Sequence, residues 1–138
     1  MVIGGHGDTT MIPLTSLAKC NNKLLTSILS DDEVLKIASD TMVGGATLTK
    51  LLGTSAWYAP GASVSYLVNA IVNDTKELLP CSVLLEGEYD VQDICIGVPV
   101  IIGKDGVEKI IELDLNDDEK KLFKKSADAI RKMNNTLI

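Results

Sequence analysis

Val2-Ile3-Gly4-Gly5-His6-Gly7-Asp8-Thr9-Thr10-Met11-Ile12-Pro13-Leu14 is the stretch on which the reading of this sequence turns. Two short apolar pieces, Met1 to Ile3 and Met11 to Leu14, flank a polar, glycine-rich segment, and the pattern predicts strand, tight loop, strand. The only histidine of the chain lies in that loop. Imidazole is the side chain that takes or gives a proton near neutral pH. Flanking glycines let the backbone turn sharply and leave the ring open to a small substrate. Lone histidines are more often structural, but the glycines and the place between two strands favour chemistry here.

Other chemistries fit this loop poorly. Asp8 is the one nearby ligand for a metal, with no second histidine and no cysteine pair, so no metal site is expected. Gly4-Gly5-His6-Gly7 lacks the Lys-Ser/Thr of a P-loop and the G-x-G-x-x-G of a dinucleotide fold. None of the serines sits in a nucleophile elbow. Proton transfer by His6 is what remains.

Working outward, 138 residues with 46% hydrophobic and 23% charged side chains suit one domain with its own core. Aromatic residues make up 4% and the net charge is -6, which disfavours base stacking and attraction to phosphate backbones or anionic lipid. Apolar runs such as Cys95 to Gly103, interrupted by Pro99, fall short of a membrane span. The first residues lack the basic and apolar regions of an export signal, so a cytoplasmic location is expected. Cys20, Cys81 and Cys95 have no metal-like spacing and are expected to be reduced, mostly buried thiols.

Ser30 with Glu33 three residues later fits a capping box, and Asp31, Asp32 and Glu33 suit the positive end of a helix dipole. Val34, Ile37, Ala38, Thr41, Met42, Gly45, Leu48 and Leu52 recur at helical spacing, predicting a long, partly buried helix to about Gly53. Gly44 and Gly45 in its middle cost about 1 kcal/mol each relative to alanine. Either something approaches the backbone there or the helix kinks. A second helix is predicted from Pro60 to Asn73-Asp74, with Val64, Leu67, Val68, Ile71 and Val72 as its apolar stripe.

Cys81 to Leu85, Ile94 to Ile102 and Val107 to Leu113 are rich in β-branched and apolar residues and predict sequential, antiparallel strands. Lys104-Asp105-Gly106 forms the turn between the last two. A final helix starts at Asn116, with Glu119 at the third position and Leu122, Phe123, Ala127, Ile130, Met133 and Leu137 as the buried face. Its lysines, balanced by Asp117, Asp118 and Glu119, read as a solvated surface. The expected fold class is therefore α+β (mixed α/β), antiparallel strands packed with long amphipathic helices.

The His6 segment resembles the active-site histidine segment of the lactate/malate dehydrogenase family. The likeness continues in family order through Gly44-Gly45-Ala46, Ser55-Ala56-Trp57-Tyr58-Ala59-Pro60, Pro80-Cys81-Ser82-Val83, Glu86-Gly87-Glu88-Tyr89, Gly97-Val98-Pro99-Val100 and Gly106-Val107-Glu108-Lys109-Ile110-Ile111-Glu112-Leu113. It covers nearly the whole chain and resembles the C-terminal, substrate-binding domain only. It implies that residues 1–138 are that domain, with the Rossmann domain that binds NAD absent from this chain.

By the same resemblance His6 is the proton acceptor and donor as hydride passes between substrate and nicotinamide. Ser55 matches a hydroxyl position of the substrate pocket, and Gly45, with Gly44, the helix beside it. Malate/oxaloacetate is favoured over lactate as the substrate pair of a tetramer-type enzyme. A homo-oligomer, dimer or tetramer, is implied, with no nucleic-acid or membrane partner. The family's acidic partner of histidine, its substrate-binding arginine and its specificity loop precede this motif, and Arg131 is the one arginine present. The isolated chain is therefore expected to be inactive. Ser16 stands where many relatives carry arginine. The alternatives are a lactate dehydrogenase domain and a non-catalytic oligomerisation or binding module.

Overall fold

The computed structural model describes residues 1–137. The predicted strand, loop and strand at the start are β1 (Val2–Gly4) and β2 (Met11–Pro13), paired antiparallel with Ile3 opposite Ile12. A two-stranded hairpin follows, β3 (Lys19–Cys20) and β4 (Lys23–Leu24). Asn21 and Asn22, at φ 49 and 63, supply the two positive-φ residues that a tight two-residue turn requires.

Helix α1 (Asp31–Leu52) begins with the predicted capping box: the Ser30 side chain accepts from the Glu33 N–H, and the Glu33 carboxylate accepts from the Ser30 N–H at 2.9 Å. It ends at Gly53, which takes the left-handed conformation at φ 68. Helix α2 (Tyr58–Val72) starts two residues before Pro60, because the N–H groups of the first turn have no partner inside the helix and a proline there breaks nothing.

The main sheet is built on β6 (Gln92–Gly103), with β5 (Glu77–Glu86) along one side and both β1 and β7 (Gly106–Ile110) along the other. All pairings are antiparallel. Gly103 faces Gly106 across the two-residue loop Lys104-Asp105. β5 and β6 begin before their predicted starts, and β5 runs through Pro80, which lies opposite Pro99. Both prolines are tolerated for local reasons. β5 pairs on one side only, and Pro99 sits where β1 has ended and β7 not yet begun, with its carbonyl accepting from the Ile111 N–H at 2.9 Å.

Inward residues of β6, Ile94, Ile96, Val98, Val100 and Ile102, form the spine of the core with Ile3, Ile12, Leu14, Leu85, Leu115 and Ala70 of α2. Helix α3 (Asp117–Asn134) closes it, capped as predicted by Asn116 and Glu119. Its buried side chains are Glu119, Phe123, Ser126 and Ala127. Leu122, Met133 and Leu137, expected on that face, are exposed. The stripe is thus rotated toward two polar residues that find partners inside.

Three further expectations are corrected. The second half of α1, from Val43 to Leu52, is exposed at every residue, so the long helix is buried only near its start. Nothing lies within 4 Å of a methyl added at Gly44 or Gly45, and the helix is continuous, so among the described residues there is neither a close neighbour nor a break. Cys20 and Cys95 are exposed, and only Cys81 is half-buried, because Cys95 points away from the core face that Ile94 and Ile96 occupy.

Candidate functional site

The candidate site is the loop from Gly5 to Thr10. Its neck is closed by the Gly5 N–H donating to the Thr10 carbonyl at 3.2 Å. Inside the loop the Gly7 carbonyl accepts from the Thr10 N–H and the Met11 N–H, each at 2.9 Å. The Thr10 hydroxyl accepts from the Gly7 N–H at 3.0 Å. Ser126 of α3 reaches the neck, accepting from the Gly5 N–H and donating to the Thr10 carbonyl, both at 2.8 Å. Every turn of this loop is thereby held by the chain itself.

Glycine is required at its entrance. Gly4 has φ +90, and a methyl there would come within 2.6 Å of the Thr10 carbonyl oxygen. A methyl at Gly5 would come within 2.6 Å of the Thr10 hydroxyl. His6 follows these two glycines and is exposed. It lies on the wall of a largely apolar cavity of about 600 Å³ shared with Met11, Cys81, Cys95 and Ile130. Burial raises the Cys81 thiol above its ordinary value.

Ser55 lies exposed in the link between α1 and α2, and Gly45 on the exposed half of α1. Neither lines the cavity that holds His6. Arg131 is elsewhere too. It donates to the Gln92 carbonyl at 2.9 Å, lies 3.7 Å from Asp128, and faces a separate cavity of about 420 Å³ beside Tyr89 and Phe123. The site therefore offers a fixed, approachable imidazole and an apolar wall, with no guanidinium to clamp a carboxylate.

Sequence reasoning did not mark Ser126 or Thr10. Thr10 carried a usable signal, a hydroxyl three residues after Gly7 in a glycine-rich turn. Ser16 donates to a Glu119 carboxylate oxygen at 2.5 Å, tying the chain beyond β2 to the start of α3 without an arginine.

The fold is a mixed α/β domain that presents one imidazole on a pinned glycine loop. The chain belongs to the lactate/malate dehydrogenase family: residues 1–137 match the model described as lactate/malate dehydrogenase, alpha/beta C-terminal domain. It is 67% identical over 137 residues to the malate dehydrogenase of Flavobacterium johnsoniae, which spans 99% of this chain and 44% of that protein. It is 59% identical over 137 residues to that of Bacteroides fragilis, with the same shares.

Among solved structures, the malate dehydrogenase of Salinibacter ruber matches at TM-score 0.94 and 40% identity, over 99% of this chain and 45% of that one. The lactate dehydrogenase of Eimeria maxima with NADH and oxamate matches at TM-score 0.93 and 38% identity, over 99% and 44%. The chain thus spans less than half the length of the relatives it matches.

Proposed function

We propose that this chain is the substrate-binding, proton-transferring domain of an NAD-dependent malate dehydrogenase that interconverts (S)-malate and oxaloacetate. The observation that carries the reading is the lone imidazole of His6, exposed on a loop fixed at its neck and set on the wall of a cavity. The relatives at 67% and 59% identity, both named malate dehydrogenase, support the substrate pair.

In oxidation His6 takes the proton of the substrate hydroxyl; in reduction it returns that proton to the carbonyl oxygen. Ser55 and Gly45 are assigned to the substrate side by their match to the family pattern. NAD, when bound, accepts the hydride. The starts of α1 and α3 do not fit its phosphates. The N-termini of α1 and α3 carry Asp31, Asp32, Glu33 and Asp117, Asp118, Glu119, which repel an anion where helix dipoles would otherwise attract one. We therefore assign nucleotide binding to the portion of the relatives that the match leaves uncovered.

A homo-oligomer belongs to the same reading. The chain exposes 9424 Å², against roughly 7,000 Å² for a compact monomer of its mass. The excess includes Leu51, Leu52, Trp57, Tyr58, Val64 and Val72 along α1 and α2, an apolar surface suited to a partner.

The test replaces the matched segment of the Flavobacterium johnsoniae malate dehydrogenase with residues 1–137 and follows NADH formation. Malate-dependent turnover that is lost in His6→Asn is expected. A folded chimera that oxidises lactate in preference to malate, or that keeps its rate in His6→Asn, sinks the proposal. The 138-residue chain alone is expected to turn over neither acid.

A further inference from the structure

Ser126 is 98% enclosed and sits in the middle of α3, where a serine hydroxyl most often bonds back to a carbonyl of its own helix. Here it does not. Its oxygen accepts from the Gly5 N–H and its proton goes to the Thr10 carbonyl, partners 121 and 116 residues away in sequence. Because Gly5 and Thr10 also bond to each other, the three groups form a closed triangle at the neck of the His6 loop.

We propose that Ser126 is a positioning residue for His6: its hydroxyl clamps both sides of the loop neck to α3 and so sets the direction in which the imidazole points. The inference rests on reading His6 as the proton-transfer group. Packing alone does not explain the residue. Ala127 and Phe123 fill the core beside it, and an alanine at 126 would serve a helix better. Only the loop uses the hydroxyl. The clamp is anchored firmly, since α3 is capped by Asn116 and Glu119 and its Phe123 ring lies against Tyr89 at 4.9 Å. Small errors in the aim of a reacting group are costly, and about 1 Å of misplacement can lower a rate a hundredfold.

The chain's single histidine supplies a clean test, because its Cε1–H gives one resonance in a 138-residue chain labelled at that ring carbon. In Ser126→Ala, exchange of the Gly5 amide is expected to speed up about tenfold relative to β6 amides. The imidazole signal should shift or broaden while the methyl signals of Ile96, Val98 and Val100 stay in place. Ser126→Thr, which restores the hydroxyl, should recover both. An unchanged Gly5 exchange rate or an unmoved imidazole signal overturns the proposal.

Should Ser126→Ala fail to fold, Ser126→Cys leaves no cavity, being slightly larger than serine, while weakening both bonds, and the same readings apply. In the chimera, kcat should fall about tenfold or more with KM little changed. An unaltered kcat, or a rise in KM alone, also overturns it. A chimera inactive with Ser126 intact counts against the malate reading instead, and the resonance and exchange readings decide the clamp without it.

Discussion

Gly4 and Gly97 face each other where β1 crosses β6, and a methyl added at Gly97 would come within 2.7 Å of the Gly4 carbonyl oxygen. The Gly4 backbone approaches this closely because Gly97 has no side chain. The contact ties the strand that leads to His6 to the central strand of the sheet. Gly97→Ala must therefore separate β1 from β6. The expected loss is about 1–3 kcal/mol, read as a lower urea midpoint. An unchanged midpoint would show that the strands can part without penalty.

Phe123 and Leu51 are both large apolar residues on helices, and they should behave oppositely in the isolated chain. Phe123 is 2% exposed and packs on Tyr89, so Phe123→Ala is expected to cost about 3–5 kcal/mol. Leu51 is 79% exposed on the outstanding half of α1, so Leu51→Ala should stay within about 0.5 kcal/mol. The proposed association through this face predicts that sedimentation velocity of the chimera with Leu51→Ala shows a weaker oligomer. Equal losses of stability in the two variants would contradict the packing described.

Much of this architecture was legible in the chain. Ser30 with Glu33, and Asn116 with Glu119, placed two helix starts correctly because a capping box is local chemistry that needs no tertiary partner. Strand existence follows from β-branched runs, whereas the starts of β5 at Glu77 and β6 at Gln92 lie outside those runs. Pro80 lies before the predicted strand yet inside β5, where its place on an edge strand makes it harmless. The Asn21-Asn22 turn carries a local signal, two residues that tolerate positive φ. The role of Ser126 could not be read, since both of its partners lie more than a hundred residues away. Nor could the exposed half of α1: an apolar stripe states that burial is needed, not which surface supplies it.

A pH titration of stability should show where the charged contacts act. Asp74 accepts from Lys76 at 2.8 Å and from the Lys104 N–H at 2.8 Å, which hold its carboxyl below the ordinary 3.8. Glu33 is lowered in the same way by the Ser30 N–H and then by the Ser30 hydroxyl. A carboxyl whose folded value is depressed contributes above its unfolded value and loses that contribution as pH falls through the folded one. Lys76 is raised above 10.5, first by Asp74 and then by Glu108, so its contribution is complete below 10.5 and lost as pH rises through the folded value. Asp74→Asn should lower mid-range stability slightly, leave stability at low pH unchanged, and so flatten part of the acid limb. Glu33 and Lys76 are exposed and Asp74 is half-exposed, so the effect should shrink in high salt. An acid limb identical to that of the unaltered chain would remove Asp74 from the account.

The three thiols should separate by rate of alkylation. The thiolate is the attacking form, and both exposure and ionisation control it. Cys20 and Cys95 are exposed, whereas Cys81 is half-buried on the core face of β5 and burial raises it above 9.0. With iodoacetamide at about pH 8, Cys81 is expected to react about tenfold more slowly than the other two, because less of it is ionised and less of it is reachable. Peptide mass spectrometry over a time course reads each site separately. In urea the three rates should converge, which separates an effect of the fold from one of local sequence. A native Cys81 that reacts as fast as Cys95 would mean that β5 opens at its edge on the timescale of alkylation, and the wall that Cys81 shares with His6 would then not be rigid.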